Sequence, residues 1–83
     1  MSKIIMGIQL EQRQKSVSEV QTLLSEYGCY IRTRLGVHEA AEEFCSEKGL
    51  ILLEFVDSKD AQARELEAKL QKIPQIVVKI MEF

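Results

Sequence analysis

The chain has 83 residues, 11 of them Lys or Arg against 13 Asp or Glu, for a formal net charge of -2 and a pI near 5.4. That length suffices for one small core, and the charge balance argues against the concentrated basic surface that phosphate neutralisation on DNA requires. One His and two Cys make neither a disulfide framework nor a usual zinc-ligand spacing, so a reducing, cytoplasmic setting is expected.

From Lys3 to Leu10, the residues Ile4, Met6, Ile8 and Leu10 alternate with Lys3, Ile5, Gly7 and Gln9, the period of a half-buried strand. A polar run, Glu11 to Lys15, leads to Ser16-Val17-Ser18-Glu19. There the Ser16 hydroxyl can accept from the Glu19 amide while Glu19 reaches back, so the first helix is expected to begin at Ser16. Val17, Val20, Leu23, Leu24 and Tyr27 form its apolar stripe, and Gly28, free to take a positive φ, is expected to close it near Tyr27. Cys29 to Val37 reads as a second strand, with Ile31, Thr33, Leu35 and Val37 on one face and Tyr30, Arg32, Arg34 and Gly36 on the other. His38 to Lys48 is polar and acidic and reads as a loop, with room for a helical turn around Ala40, Ala41, Phe44 and Cys45.

After Gly49, the run Leu50 to Val56 is almost wholly apolar, as in a central strand covered on part of both faces. Asp57, Ser58 and Asp60 offer caps for a second helix, whose stripe is Ala63, Leu66, Leu70 and Ile73 and whose outer surface places Glu65 one turn from Lys69. Pro74 cannot continue that helix. Ile76 to Phe83 resumes alternation, with Ile76, Val78 and Ile80 opposite Val77, Lys79, Met81 and Phe83.

This order predicts an α+β fold: a ferredoxin-like βαββαβ sandwich whose antiparallel sheet carries both helices on one face, strands ordered four, one, three, two. Residues 1–83 are expected to form a single domain, without a signal peptide or membrane span. The other sheet face is left bare, with Ile5, Gly7, Gln9, Tyr30, Arg32, Arg34, Leu50, Leu52, Glu54, Val77, Lys79, Met81 and Phe83 assigned to it. That set is too apolar for a freely solvated surface, so a homo-oligomer, dimer or tetramer, is expected. Ile5, Tyr30, Arg32, Arg34, Leu52, Glu54, Val77 and Met81 are its interface candidates.

Arg32 and Arg34 beside Glu54 read as a cross-strand or intersubunit ion pair in preference to an anion or nucleic-acid patch. Tyr30 has no matching aromatic in mid-sheet, so an RNA-stacking platform is not expected. His38 and Cys45, with Glu39 and Glu42, are the candidate ligand or metal-binding residues, weighed against an ordinary solvated acidic loop. No cofactor is identified. With no glycine-rich phosphate loop, paired-carboxylate geometry or activated serine, enzymatic activity is not expected.

Three segments carry a family resemblance: Arg13-Gln14-Lys15-Ser16-Val17, then Tyr30-Ile31-Arg32-Thr33-Arg34-Leu35-Gly36-Val37 with Gly49-Leu50-Ile51-Leu52-Leu53, and Leu66 to Pro74 leading to Val77-Val78-Lys79. Together they resemble the iron-only hydrogenase system regulator family over essentially the whole chain. The resemblance implies an ACT-like regulatory domain, related to the C-terminal domain of nickel-responsive repressors and associated with maturation of iron-only hydrogenases. Such relatives assemble through their sheets and bind small effectors at interfaces. This chain departs from both binding patterns, because His38 is its sole histidine and Glu11 to Lys15 lacks the glycine that ACT domains place at an amino-acid ligand. The repressors' DNA-binding arm is also absent, so the resemblance implies control of transcription through a partner protein. A structural adaptor in hydrogenase assembly, engaging another protein through the same face, is the alternative.

Overall fold

The computed structural model describes residues 3–10, 13–40 and 45–83, with their side chains except at 13–17, 37–40 and 45–48. Among the described residues the elements run β1 (Ile4–Leu10), α1 (Arg13–Glu26), β2 (Ile31–Ala40), β3 (Cys45–Phe55), α2 (Asp60–Leu70) and β4 (Ile76–Glu82), with a 3₁₀ turn at Gly28–Tyr30. Every strand pairing is antiparallel, and the order β2-β3-β1-β4 is the expected one read from the opposite edge.

Alternation in three strands decides where the core lies. Ile4, Met6, Ile8 and Leu10 of β1, Ile51, Leu53 and Phe55 of β3, and Val78 of β4 are buried on one side. Val20, Leu24 and Tyr27 from α1, with Ala63, Leu66, Leu70 and Ile73 from α2 and its exit, complete the same cluster. Both helices therefore cover one face, each through the stripe its 3.6-residue period creates. Burying a side chain such as Leu24 or Leu66 contributes roughly 1.5–3 kcal/mol, so these two stripes hold the layers together. The Tyr27 hydroxyl donates to the Glu65 carboxylate across the layer, and that hydrogen bond holds the phenol above its ordinary pKa.

The helix ends differ from expectation in instructive ways. Helix α1 begins at Arg13, which places Ser16 inside it rather than at its cap; Arg, Gln and Lys are good helix formers, and nothing between 13 and 16 breaks the pattern. It ends at Glu26 without a left-handed glycine. The chain instead tightens into the 3₁₀ turn, where the Tyr30 amide donates to the Tyr27 carbonyl at 3.0 Å. At α2 the N-cap is Lys59 with no side-chain bond, so neither Asp57 nor Ser58 caps as expected, while Asp60 stands in the first turn. Ser58 (φ 71°) and Gln75 (φ 64°) are the left-handed corners on either side of α2.

The stretch expected to be a loop is largely an arm of paired strands. Strand β2 continues to Ala40 and β3 starts at Cys45, whereas the last β1–β3 pairing is Leu10 with Gly49. The hairpin thus extends past the body of the sheet, consistent with principal extents of 44 × 23 × 18 Å. Ladder hydrogen bonds come from the backbone, so polar composition does not prevent this pairing. Of the four residues expected around a helical turn, Ala40 and Cys45 instead pair with each other at the ends of β2 and β3, while Ala41 and Phe44 lie outside the described residues.

Candidate functional site: the uncovered sheet face

Side chains opposite the core share the bare face, and the register fixes their neighbours. Ile5 sits between Glu54 and Met81, Gly7 between Leu52 and Lys79, and Gln9 between Leu50 and Val77. Strand β2 joins this grid through a bulge. Ile31 faces Phe55 but Thr33 faces Glu54, so two steps along β2 match one along β3 and Arg32 is the extra residue.

That one residue inverts the facing of the strand beyond it. Thr33 and Leu35 lie beside Glu54 and Leu52 on the bare side, whereas Arg34 and Gly36 lie beside Leu53 and Ile51 on the helix side. There the Arg34 guanidinium donates to the side-chain carbonyl of Gln21 on α1. Tyr30 also leaves the bare face. It belongs to the 3₁₀ turn and packs against the core, its ring 6.1 Å from that of Tyr27 with Lys59 Nζ 5.9 Å from its centre. Of the expected interface set, Ile5, Leu52, Glu54, Val77 and Met81 share the bare face. Arg32 borders it at the bulge, while Tyr30 and Arg34 belong elsewhere.

Glu54 takes a partner other than the expected arginines. Lys3 Nζ lies 2.6 Å from Glu54 Oε2, and the Thr33 hydroxyl donates to Oε1 at 2.8 Å. Those two bonds, the lysine's first, hold the Glu54 carboxyl below its ordinary value, with a smaller contribution from the charge of Arg32. The bond to Glu54 correspondingly raises Lys3. Asp57 Oδ1, buried without a hydrogen bond, stands 3.7 Å from the same ammonium. Sequence reasoning missed Lys3 and Thr33 as partners, although Lys3 shares the parity of Ile5 and so was available to the same face.

The rest of the face is apolar and exposed. Leu35 (53% exposed), Leu50, Val56, Val77, Met81 (56%) and Phe83 are the exposed large hydrophobic residues among those described. All six fall on the uncovered side: four by register, Phe83 through its reciprocal backbone bonds with Lys3, and Val56 by alternation from Glu54. Monomeric proteins rarely concentrate such residues on one surface.

Other candidates are less convergent. His38 and Ala40 pair with Gly49 and Cys45 along the arm, so the backbones of His38 and Cys45 lie on facing strands; their side chains, with those of Glu39 and Glu42, lie outside the described residues. Among the described residues no three His, Cys, Asp or Glu side chains gather as a metal site. An open groove of about 400 Å³ between the helices was not anticipated. Leu23 and Ile73 line it with Lys69, Lys72, Glu19 and Thr22, but the Thr22 hydroxyl is spent on the Ser18 carbonyl at 2.9 Å. Lys69 lies 5.0 Å from the centre of the Tyr27 ring and 3.9 Å from Glu65.

Comparison with known proteins matches residues 3–80 to the family model described as "TM1266-like: Iron-only hydrogenase system regulator, putative". No curated protein matches the chain. The structure of the uncharacterized protein TM1266 from Thermotoga maritima is similar at a TM-score of 0.79 with 26% identity, covering 100% of this chain and 99% of that one. Two further structures share the fold at lower identity. CPII, a nitrogen regulatory PII-like protein from Thiomonas intermedia K12 bound to ADP, AMP and bicarbonate, has a TM-score of 0.60 at 11% identity, with coverage of 100% and 91%. A dimeric ferredoxin-like protein from an uncultured marine organism has 0.57 at 8%, with coverage of 99% and 92%.

Proposed function

The chain belongs to the iron-only hydrogenase system regulator family, and from that premise we propose that it is a small non-enzymatic regulatory module. In this reading it works as a homo-oligomer built on the uncovered sheet face and responds to a small effector. The observation that carries the reading is the placement of all six exposed large hydrophobic residues among those described on the side of the sheet that the helices leave bare. Covering them with a second subunit removes apolar area worth about 25 cal/mol per Å² from water, a gain unavailable to the isolated chain. An effector bound differently by free and associated states shifts the balance between them, which is all that regulation by assembly requires.

The PII-like neighbour bound to nucleotides and bicarbonate supports the idea that this small fold can serve as a sensor. Transcription is reached through a partner protein, since the chain's net charge of -2 gives it no electrostatic grip on DNA. No helix among the described residues is long and apolar enough to cross a membrane. We place the protein in the cytoplasm on the cysteine usage noted above.

Sedimentation across a hundredfold concentration range, with thermal-shift screening of metabolites and metal ions, tests the proposal. The expected result is a stable dimer or tetramer whose melting temperature rises with a selective ligand. A strict monomer sinks it. The same face favours a second reading, an adaptor in hydrogenase assembly. Retention of one defined hydrogenase-maturation protein by a monomeric chain, with no response to any small molecule, would select that alternative.

A further inference from the structure

Gly7 occupies the centre of the bare face, in an interior strand, with Leu52 on one side and Lys79 on the other. Nothing among the described residues calls for glycine there. No glycine among the described residues has a positive φ, and a Cβ built at position 7 would meet its nearest neighbour, Leu52 Cδ2, at 3.7 Å, an ordinary van der Waals contact. Within the fold an alanine fits, and it would remove the conformational cost that glycine brings to a strand. Glycine inside a strand often marks a bulge, a bend or a place where a ligand or another backbone comes close, and the unbroken register of β1 on both flanks excludes a bulge at Gly7. The described residues of its own chain make no such approach, which leaves a contact from outside as the reason for glycine.

The surface around Gly7 has the form a two-fold contact requires. The row Leu35, Leu52, Gly7, Lys79 runs across the sheet as two apolar side chains, then a hollow, then a cation. Leu35 and Met81, each more than half exposed, project on either side of that hollow. One surface thus carries both socket and knobs, the self-complementarity that an isologous interface demands. Size agrees as well. Strands about 4.8 Å apart and some 25 Å long give the sheet a flat footprint of roughly 500 Å². Two such footprints together come to roughly 1,000 Å², the threshold for a specific interface.

We propose that Gly7 is the close-approach point of a face-to-face contact between two copies of this chain, its missing side chain forming the socket for a protruding apolar side chain of the other copy. The inference rests on the self-association reading and adds to it the residue that sets how near the two sheets come.

Wild type, Gly7→Ala and Gly7→Val compared by sedimentation equilibrium and chemical denaturation test it. Valine fills the socket and suits a strand, so the expected result is a folded Gly7→Val subunit whose dissociation constant is raised about tenfold or more. Alanine should weaken association less while leaving the fold at least as stable. Undiminished association of Gly7→Val overturns the socket but leaves the oligomer standing. A wild-type chain that remains monomeric overturns the oligomer itself, and the socket with it. Should Gly7→Val fail to fold, Gly7→Ala decides: weakened association supports the socket, and association as tight as wild type overturns it.

Discussion

The two faces of this sheet are built from the same strands, a residue apart, and both are rich in aliphatic side chains. On one face Ile8, Leu53 and Val78 are buried beneath two helices; on the other Leu35, Leu50, Val77 and Met81 remain exposed. Hydrophobicity alone therefore does not tell a core from a docking surface in this fold. Cover does, and cover is set by topology, because both crossover helices fall on the same side. The bare face also differs in having a polar corner, where Lys3, Thr33 and Glu54 interact, while β1 and the body of β3 turn only apolar side chains, Ile4, Met6, Ile8, Leu10, Ile51, Leu53 and Phe55, toward the helices.

Adjacent leucines on β3 give the sharpest break between the faces. Leu53→Glu buries a carboxylate beneath the helices at a cost well above about 4 kcal/mol, most of the stability of a domain this small. Loss of the far-UV helical signal is the expected outcome. Leu52→Glu should keep that signal and dissociate the oligomer, measured by circular dichroism and light scattering on the same samples. Equal effects of the two would mean that the faces are wrongly distinguished.

A milder pair sharpens the same contrast. Leu66→Ala, which empties a fully buried site, should cost the subunit about 2–5 kcal/mol in denaturant unfolding. Leu35→Ala should stay within about 0.5 kcal/mol for the separated subunit, its effect appearing as weaker association.

The smallest effect belongs to the polar corner. Glu54 is held below its ordinary value of 4.5, so its contribution is present above that pH and fades as pH falls through the lowered value. Lys3 is raised above 10.5, so its contribution is present below that and fades as pH climbs through the raised value. Comparing melting temperatures of wild type and Glu54→Gln from pH 3 to 8 should show a slight difference near neutrality that closes in acid and shrinks with added salt. A difference that persists unchanged at pH 3 would assign the effect to something other than charge.

Much of this architecture was legible in residue order. The alternation of Ile4 to Leu10 and Ile76 to Phe83 identifies covered and bare sides, and Ala63, Leu66, Leu70 and Ile73 are the buried stripe that their spacing predicts. Strand β2 resisted the same treatment. Its pattern, with Ile31, Thr33, Leu35 and Val37 against Tyr30, Arg32, Arg34 and Gly36, suggests an apolar side turned inward, yet Leu35 faces out and Arg34 faces the helices. A bulge is a property of two strands in register, so the inversion at Arg32 leaves no mark in β2's own periodicity. The arm was missed for a related reason: backbone pairing of His38 to Ala40 with its partner strand does not depend on apolar composition. Tyr30 was misplaced because a 3₁₀ turn, rather than a strand, carries it.

Sheet order also governs how the chain can assemble in time. The β2–β3 hairpin joins neighbours in sequence, whereas β1 must find Glu54 on one flank and Met81 on the other, each contact closing a long stretch of intervening chain. The interior strand, first of the four in chain order, thereby closes the longest loops of the sheet, and seating it between β3 and β4 carries the largest chain-closure cost.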